Sequence, residues 1–113
     1  MLVDFSNEGG ISIARIQEDR LDARVAIELK NSLTPAVTCG NRNLVINLAN
    51  TTFIDSSALG VIVGVLKDMG TNGNIVICNA NGPVSSAFKL TRMDLIIGLY
   101  ESEEEAKAAL IPA

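Results

Sequence analysis

The sequence predicts an α/β fold, one domain with a mixed central sheet of about five strands and about four α-helices. Three observations carry this. Short runs rich in Val and Ile, Leu44-Val45-Ile46-Asn47-Leu48 and Asn74-Ile75-Val76-Ile77-Cys78, have the length and branching of buried strands. Longer segments with helical spacing or capping residues separate them, so these strands need crossover helices. The chain opens on two short stretches around a turn-rich Ser6-Asn7-Glu8-Gly9-Gly10, which reads as a β-hairpin. With 113 residues, 48% of them apolar and 19% charged, the chain can build one core and is too apolar for disorder.

In order, Leu2 to Phe5 alternates weakly and forms the first strand, and Ile11 to Ile16 alternates apolar and polar residues as a half-buried second. Gln17 to Arg20 is a charged connector. Leu21-Asp22-Ala23 opens the first helix with Asp22 as N-cap, and Val25, Leu29 and Leu33 supply its core stripe. Pro35 is expected to end or kink that helix near Ser32 to Thr34. Gly40-Asn41 turns the chain into the strand Leu44 to Leu48.

The stretch Asn47 to Lys67 organises the rest. After the polar step Ala49-Asn50-Thr51-Thr52 it reaches Phe53-Ile54-Asp55-Ser56-Ser57 and a helix over Ser56 to Met69, apolar almost all round and so largely buried. Gly60 and Gly64 share a face where another backbone can come close. Gly70 to Gly73 stops the helix and turns into the strand Asn74 to Cys78. Asn79 to Pro83 begins a third helix with Pro83 in its first turn and an inner face of Val84, Ala87, Phe88 and Thr91. Leu95 to Tyr100 is the final strand. Ser102 and Glu105, in capping-box spacing, start a closing helix docked by Ala106, Ala109 and Leu110.

Composition removes whole classes of function. The net charge is −4, with the basic residues scattered singly, three Phe, one Tyr and no Trp, so nucleic-acid binding is not expected. No run reaches ~18 apolar residues, and the first ten lack the basic-then-apolar pattern of a signal peptide, so neither a membrane span nor export is expected. Cys39 and Cys78 stand in neither a CxxC nor a metal-ligand spacing and read as buried, reduced thiols of a cytoplasmic protein. An acidic surface without an evident apolar patch predicts a monomer. The absence of histidine removes Ser-His-Asp and Cys-His catalysis and every His-ligated metal site. There is no GxSxG elbow, no phosphate loop and no dinucleotide fingerprint, and Leu59 stands where a Ser-x-x-Lys pair needs lysine. The chain is expected to be no enzyme, with no catalytic residue, cofactor or metal.

Ser56 is the candidate with chemistry. As a cap it needs no further role, since Ser and Asp favour helix N-termini. As a phosphoacceptor it would place phosphate at the positive end of a helix dipole, which gains about 0.3–1 kcal/mol. The added charge of about −1.5 to −2 falls beside Asp55. Two unit charges ~5 Å apart repel by about 3 kcal/mol at an effective dielectric of ~20, an upper figure for an exposed site. Phosphate would therefore make the surface strongly anionic rather than order it, which suits an off-switch for a docking partner. Asp22 and Asp55 each precede a helix and read as two N-caps in preference to an acid/base or metal pair. Glu101 to Glu105 reads as the first turn of a solvated helix.

Leu44 to Leu48 followed by Phe53-Ile54-Asp55-Ser56-Ser57-Ala58-Leu59-Gly60 resembles the STAS domain of bacterial anti-sigma factor antagonists. Leu21-Asp22-Ala23, the strand Asn74 to Cys78, Pro83-Val84 and Phe88-Lys89-Leu90-Thr91 extend the likeness over nearly the whole chain. Ala58, where many members have Gly, and Glu18-Asp19-Arg20, in place of a Gly-containing approach to the first helix, depart from the pattern, and the region Pro35 to Asn43 is short. The resemblance implies a STAS-type fold and a non-enzymatic switch protein. It implies that a partner serine kinase, which is also the anti-sigma factor, phosphorylates Ser56 with its own ATP, and that a PP2C-type phosphatase resets it. The unphosphorylated form binds the kinase through a surface mapping to Asp22, Asp55, Ser56 and Ser57. The alternative is a constitutive STAS subunit of a larger assembly, such as a lipid-transport ABC complex. A nucleotide-binding module rests on general α/β analogy alone.

Overall fold

The computed structural model describes residues 2–38, 43–70 and 73–110. In chain order the elements are β1 (Val3–Glu8), β2 (Ile11–Ile16), β3 (Arg20–Leu21), α1 (Ala26–Thr38), β4 (Asn43–Asn47), β5 (Phe53–Ile54), α2 (Ser56–Met69), β6 (Asn74–Cys78), α3 (Gly82–Leu90), β7 (Gly98–Tyr100) and α4 (Glu103–Leu110). A five-stranded sheet runs β1-β2-β4-β6-β7, and β3 and β5 form a separate pair. Only β1 is antiparallel to its neighbour. The expected mixed sheet of five strands with four helices is therefore present.

The pleat explains why the central strands read as unbroken apolar runs. Leu44, Ile46, Ile75 and Ile77 face a core shared with Leu29, Leu33, Ile62, Val65, Val84 and Phe88 of α1 to α3. Val45, Val76 and Cys78 point to the other face and join Ile11, Ile13 and Ala106 of α4. A strand covered on both faces has no polar side to show in its sequence.

Several expectations are corrected. β1 runs on to Glu8, in register with Ile11, and the reversal is made by Gly9 and Gly10 alone, at φ 60° and 83°. Part of the charged connector is strand: Arg20 pairs with Phe53 and Leu21 with Ile54. Because Leu21 is held in that ladder, the chain needs a turn before α1, and the helix begins at Ala26 with Leu29 N–H donating to the Val25 carbonyl. Asp22 caps that turn and not the helix: its side chain accepts from the Arg24 amide, and its carbonyl accepts from Val25.

Pro35 neither ends nor bounds α1, which continues to Thr38. The proline lies on the exposed face, while Leu33 and Ala36 on either side of it are buried and hold the helix on the body. Leu95 and Ile96 are exposed and precede the strand; Met93–Leu95 is a 3-10 turn reached through Arg92 at φ 65°, anchored by buried Met93 and Ile97. These two residues and Leu90 on α3 are large apolar side chains left exposed.

The helix α2 buries one face only, through Ala58, Leu59, Ile62, Val65 and Met69, and an added Cβ at Gly60 or Gly64 would meet nothing within 4 Å. Among the described residues no backbone of another element packs on those glycines. Thr91 and Ala109 are exposed where inner positions were expected, and the Thr91 hydroxyl bonds back to the Ala87 and Phe88 carbonyls. The Gly40-Asn41 turn and the middle of the Gly70 to Gly73 turn lie outside the described residues.

Candidate functional site

The candidate site is where two short segments are stitched together. Thr52 and Phe53 N–H groups donate to the Asp19 carbonyl at 2.8 and 3.3 Å, and the Asp55 N–H donates to the Leu21 carbonyl at 3.0 Å. The buried Thr51 hydroxyl donates to the Glu18 carbonyl at 2.8 Å, and the Thr52 hydroxyl to the Asp19 carboxylate at 2.6 Å. Buried Leu21 and Ile54 pin the pair to the core. From below, the Asn81 side-chain amide donates to the Thr51 carbonyl while its oxygen caps α3 at Val84. The next residues along the two strands are Asp22 and Asp55, so the ladder brings together residues far apart in sequence.

Asp55 stands at φ −113°, ψ −179°, extended, and its Oδ1 accepts from the Ser57 and Ala58 amides at 2.9 and 3.2 Å. It is the N-cap of α2, as the sequence reading expected. Ser56 and Ser57 follow in the first turn, both exposed, and neither hydroxyl is hydrogen-bonded among the described residues. Both serines lie at the positive end of the helix dipole.

Asp22 is occupied differently. Arg24 Nε lies 3.1 and 3.2 Å from its two oxygens, Arg24 Nη2 lies 3.1 Å from Oδ2, and Arg20 Nε lies 3.9 Å away. Arg24 holds the Asp22 carboxyl below the usual carboxylate range. The Arg20 guanidinium stacks 4.2 Å above the Phe53 ring, directly across the β3–β5 register. Neither arginine was singled out in the sequence. The available signal was Arg20 and Arg24 flanking Asp22 at an interval of four.

Beside Ser57 a groove of about 370 Å³ runs along α2, lined by Lys30, Gly60, Val61, Gly64, Val65 and Asp68. The two glycines thus open a surface channel next to the serines rather than a helix contact.

On the opposite face, Glu103 is no solvated helix residue. It takes two hydrogen bonds from Arg15, at 2.8 and 2.9 Å, and one from Asn47 Nδ2 at 2.6 Å. Arg15 holds the Glu103 carboxyl below its ordinary value, and burial pushes the Cys78 thiol beneath α4 up to about 12. Cys78 is buried as expected; Cys39 lies outside the described residues. Among the described residues no helix is long and apolar enough to cross a membrane, and no group of three or more His, Cys, Asp or Glu could hold a metal ion.

Residues 3–106 match the family model described as STAS domain. The chain belongs to the STAS domain family. It is 31% identical over 85 residues to an anti-sigma-B factor antagonist of Staphylococcus aureus, covering 74% of this chain and 79% of that one. Among solved structures it superposes on an anti-sigma factor antagonist from Mycobacterium paratuberculosis with a TM-score of 0.88, 20% identity and coverage of 95% and 91%. The Bacillus cell fate determinant SpoIIAA in its phosphorylated form matches with a TM-score of 0.72, 17% identity and coverage of 96% and 99%.

Proposed function

We propose that this chain is an anti-sigma factor antagonist whose partner binding is gated by phosphorylation of Ser56. The observation that carries this reading is an unengaged, exposed Ser56 hydroxyl at the head of α2, one residue after an extended Asp55 whose carboxylate is spent on capping. The partner is a serine-kinase anti-sigma factor that docks over Asp22, Asp55, Ser56 and Ser57 in the cytoplasm. The groove beside Ser57 offers that partner an apolar floor flanked by Lys30 and Asp68. The Ser56 oxygen attacks the γ-phosphorus of the kinase's ATP, its proton passing to a base of the kinase as the bond to ADP breaks. The product carries about two negative charges at the docking surface and releases the partner. A PP2C-type phosphatase returns the hydroxyl by hydrolysis. This chain supplies the acceptor and the surface, and it needs no cofactor or catalytic group of its own.

The test is capture of the serine kinase from the protein's own cells on immobilised Ser56→Ala and Ser56→Asp variants. The reading expects retention on the alanine variant and at least tenfold weaker retention on the aspartate variant. Equal retention removes the gate and favours a constitutive subunit of a larger assembly.

A further inference from the structure

The charges around Ser56 are not all of one sign. Arg20 and Arg24 stand against Asp22, with Asp55 at the head of α2 and Glu18 and Asp19 further back on the same loop. Asp55 is committed to the α2 amides, so Asp22 is the carboxylate that Arg24 engages. The Arg24 side chain is 72% exposed, so solvent screens its ion pair with Asp22. It is weakly held.

A phosphate monoester competes well for such a group. It carries up to two charges and three acceptor oxygens, and it fits the guanidinium fork in a bidentate pair. Beyond the Leu21–Ile54 pair the two chains continue as Asp22 and Asp55, the Asp55 N–H still bonded to the Leu21 carbonyl, and Ser56 is the next residue. Arg24 already folds its guanidinium back onto Asp22, the residue after that pair.

Resting on the reading of Ser56 as phosphoacceptor, we propose that the phosphate, once attached, takes the Arg24 guanidinium from Asp22, so that modification at the head of α2 also rewires the turn leading into α1. Asp22 then presents an unpaired carboxylate, and the docking surface changes at two places for one modification. Arg20 stays stacked on Phe53 and supplies the nearby positive charge. The phosphoserine is thus read within the chain as well as by the partner.

The experiment uses the full chain with phosphoserine encoded at position 56 during translation, so no kinase is needed. Its phosphorus NMR signal is titrated in the parent and in Arg24→Gln. With Asp22, Asp55, Asp19, Glu18, Arg20 and the groove residues Lys30 and Asp68 common to both, the parent's second ionisation is expected roughly 0.2–0.7 unit lower. The Arg24 Nε–H resonance of the parent is expected to move with the same midpoint. Identical midpoints with a stationary Nε–H resonance overturn the clasp and leave the switch intact. Absence of Ser56 phosphate in cells would instead remove the switch and leave the NMR result standing.

Discussion

Arg15 and Glu103, 88 residues apart, are joined through both nitrogens of the guanidinium fork, Nε to Oε2 at 2.8 Å and Nη2 to Oε1 at 2.9 Å. The pair fastens α4 to β2, and Asn47 on β4 adds a third hydrogen bond to the same carboxylate. Both side chains are partly buried, at 33% and 20% exposure, so Glu103→Gln is expected to cost about 1–3 kcal/mol of stability. Arg15 lowers the Glu103 carboxyl in the folded state, so the unfolded chain binds that proton more readily. The contribution is complete above the unfolded carboxylate range, about pH 4.3, and is lost as pH falls through the lower folded value. Urea midpoints of parent and variant should differ at pH 7 and converge in acid. A constant gap across that range would show that the ion pair is not its source.

Beneath the same helix lies Cys78, fully buried with its thiol pushed up to about 12. In a Cys39→Ser background, iodoacetamide at pH 8 is expected to leave Cys78 unmodified in the native protein and to label it after unfolding. Glu103→Gln should speed native labelling, because α4 opens more often. Rapid labelling of the parent would show that α4 does not seal this face.

At the head of α2, Asp55→Ala is expected to cost about 0.5–2 kcal/mol, while Asp55→Asn keeps most of the cap. Amide hydrogen exchange gives the local readout. Ser57 and Ala58, which donate to Asp55, should lose protection in the alanine variant ahead of the rest of the helix.

Gly98 makes room for its own strand neighbour. An added Cβ would sit 2.8 Å from the Tyr100 ring, so Gly98→Ala is expected to push that ring off its rotamer at a cost of about 0.5–1.5 kcal/mol. Tyr100→Ala should relieve that clash, so the two substitutions together should cost less than their sum. Strict additivity would rule out the contact as the cause.

What the sequence made legible was what local chemistry decides. Asp55 before two serines and an apolar run marked the start of α2, because capping needs only neighbouring residues. The buried strands followed from their apolar runs. Arg20 and Leu21 gave no such signal, since a two-residue strand has no period and its partner lies 33 positions on. Leu95 and Ile96 read as strand by composition, yet Arg92 in the left-handed region turns the chain there and leaves both exposed. Glu103 looked like any acidic first turn because its partner sits on β2. Arg24's role at the site was hidden for a related reason: Asp22 was read as a helix cap, and the turn before α1 appears only once Leu21 is fixed in its ladder.

The central claim is that Ser56 is the modified residue. Intact-mass analysis and phosphosite mapping of the protein purified from its own cells test it most directly. The account predicts a species heavier by one phosphate, mapped to Ser56 and missing from a Ser56→Ala strain. No phosphate under any growth condition, or phosphate on Ser57 in place of Ser56, would contradict it.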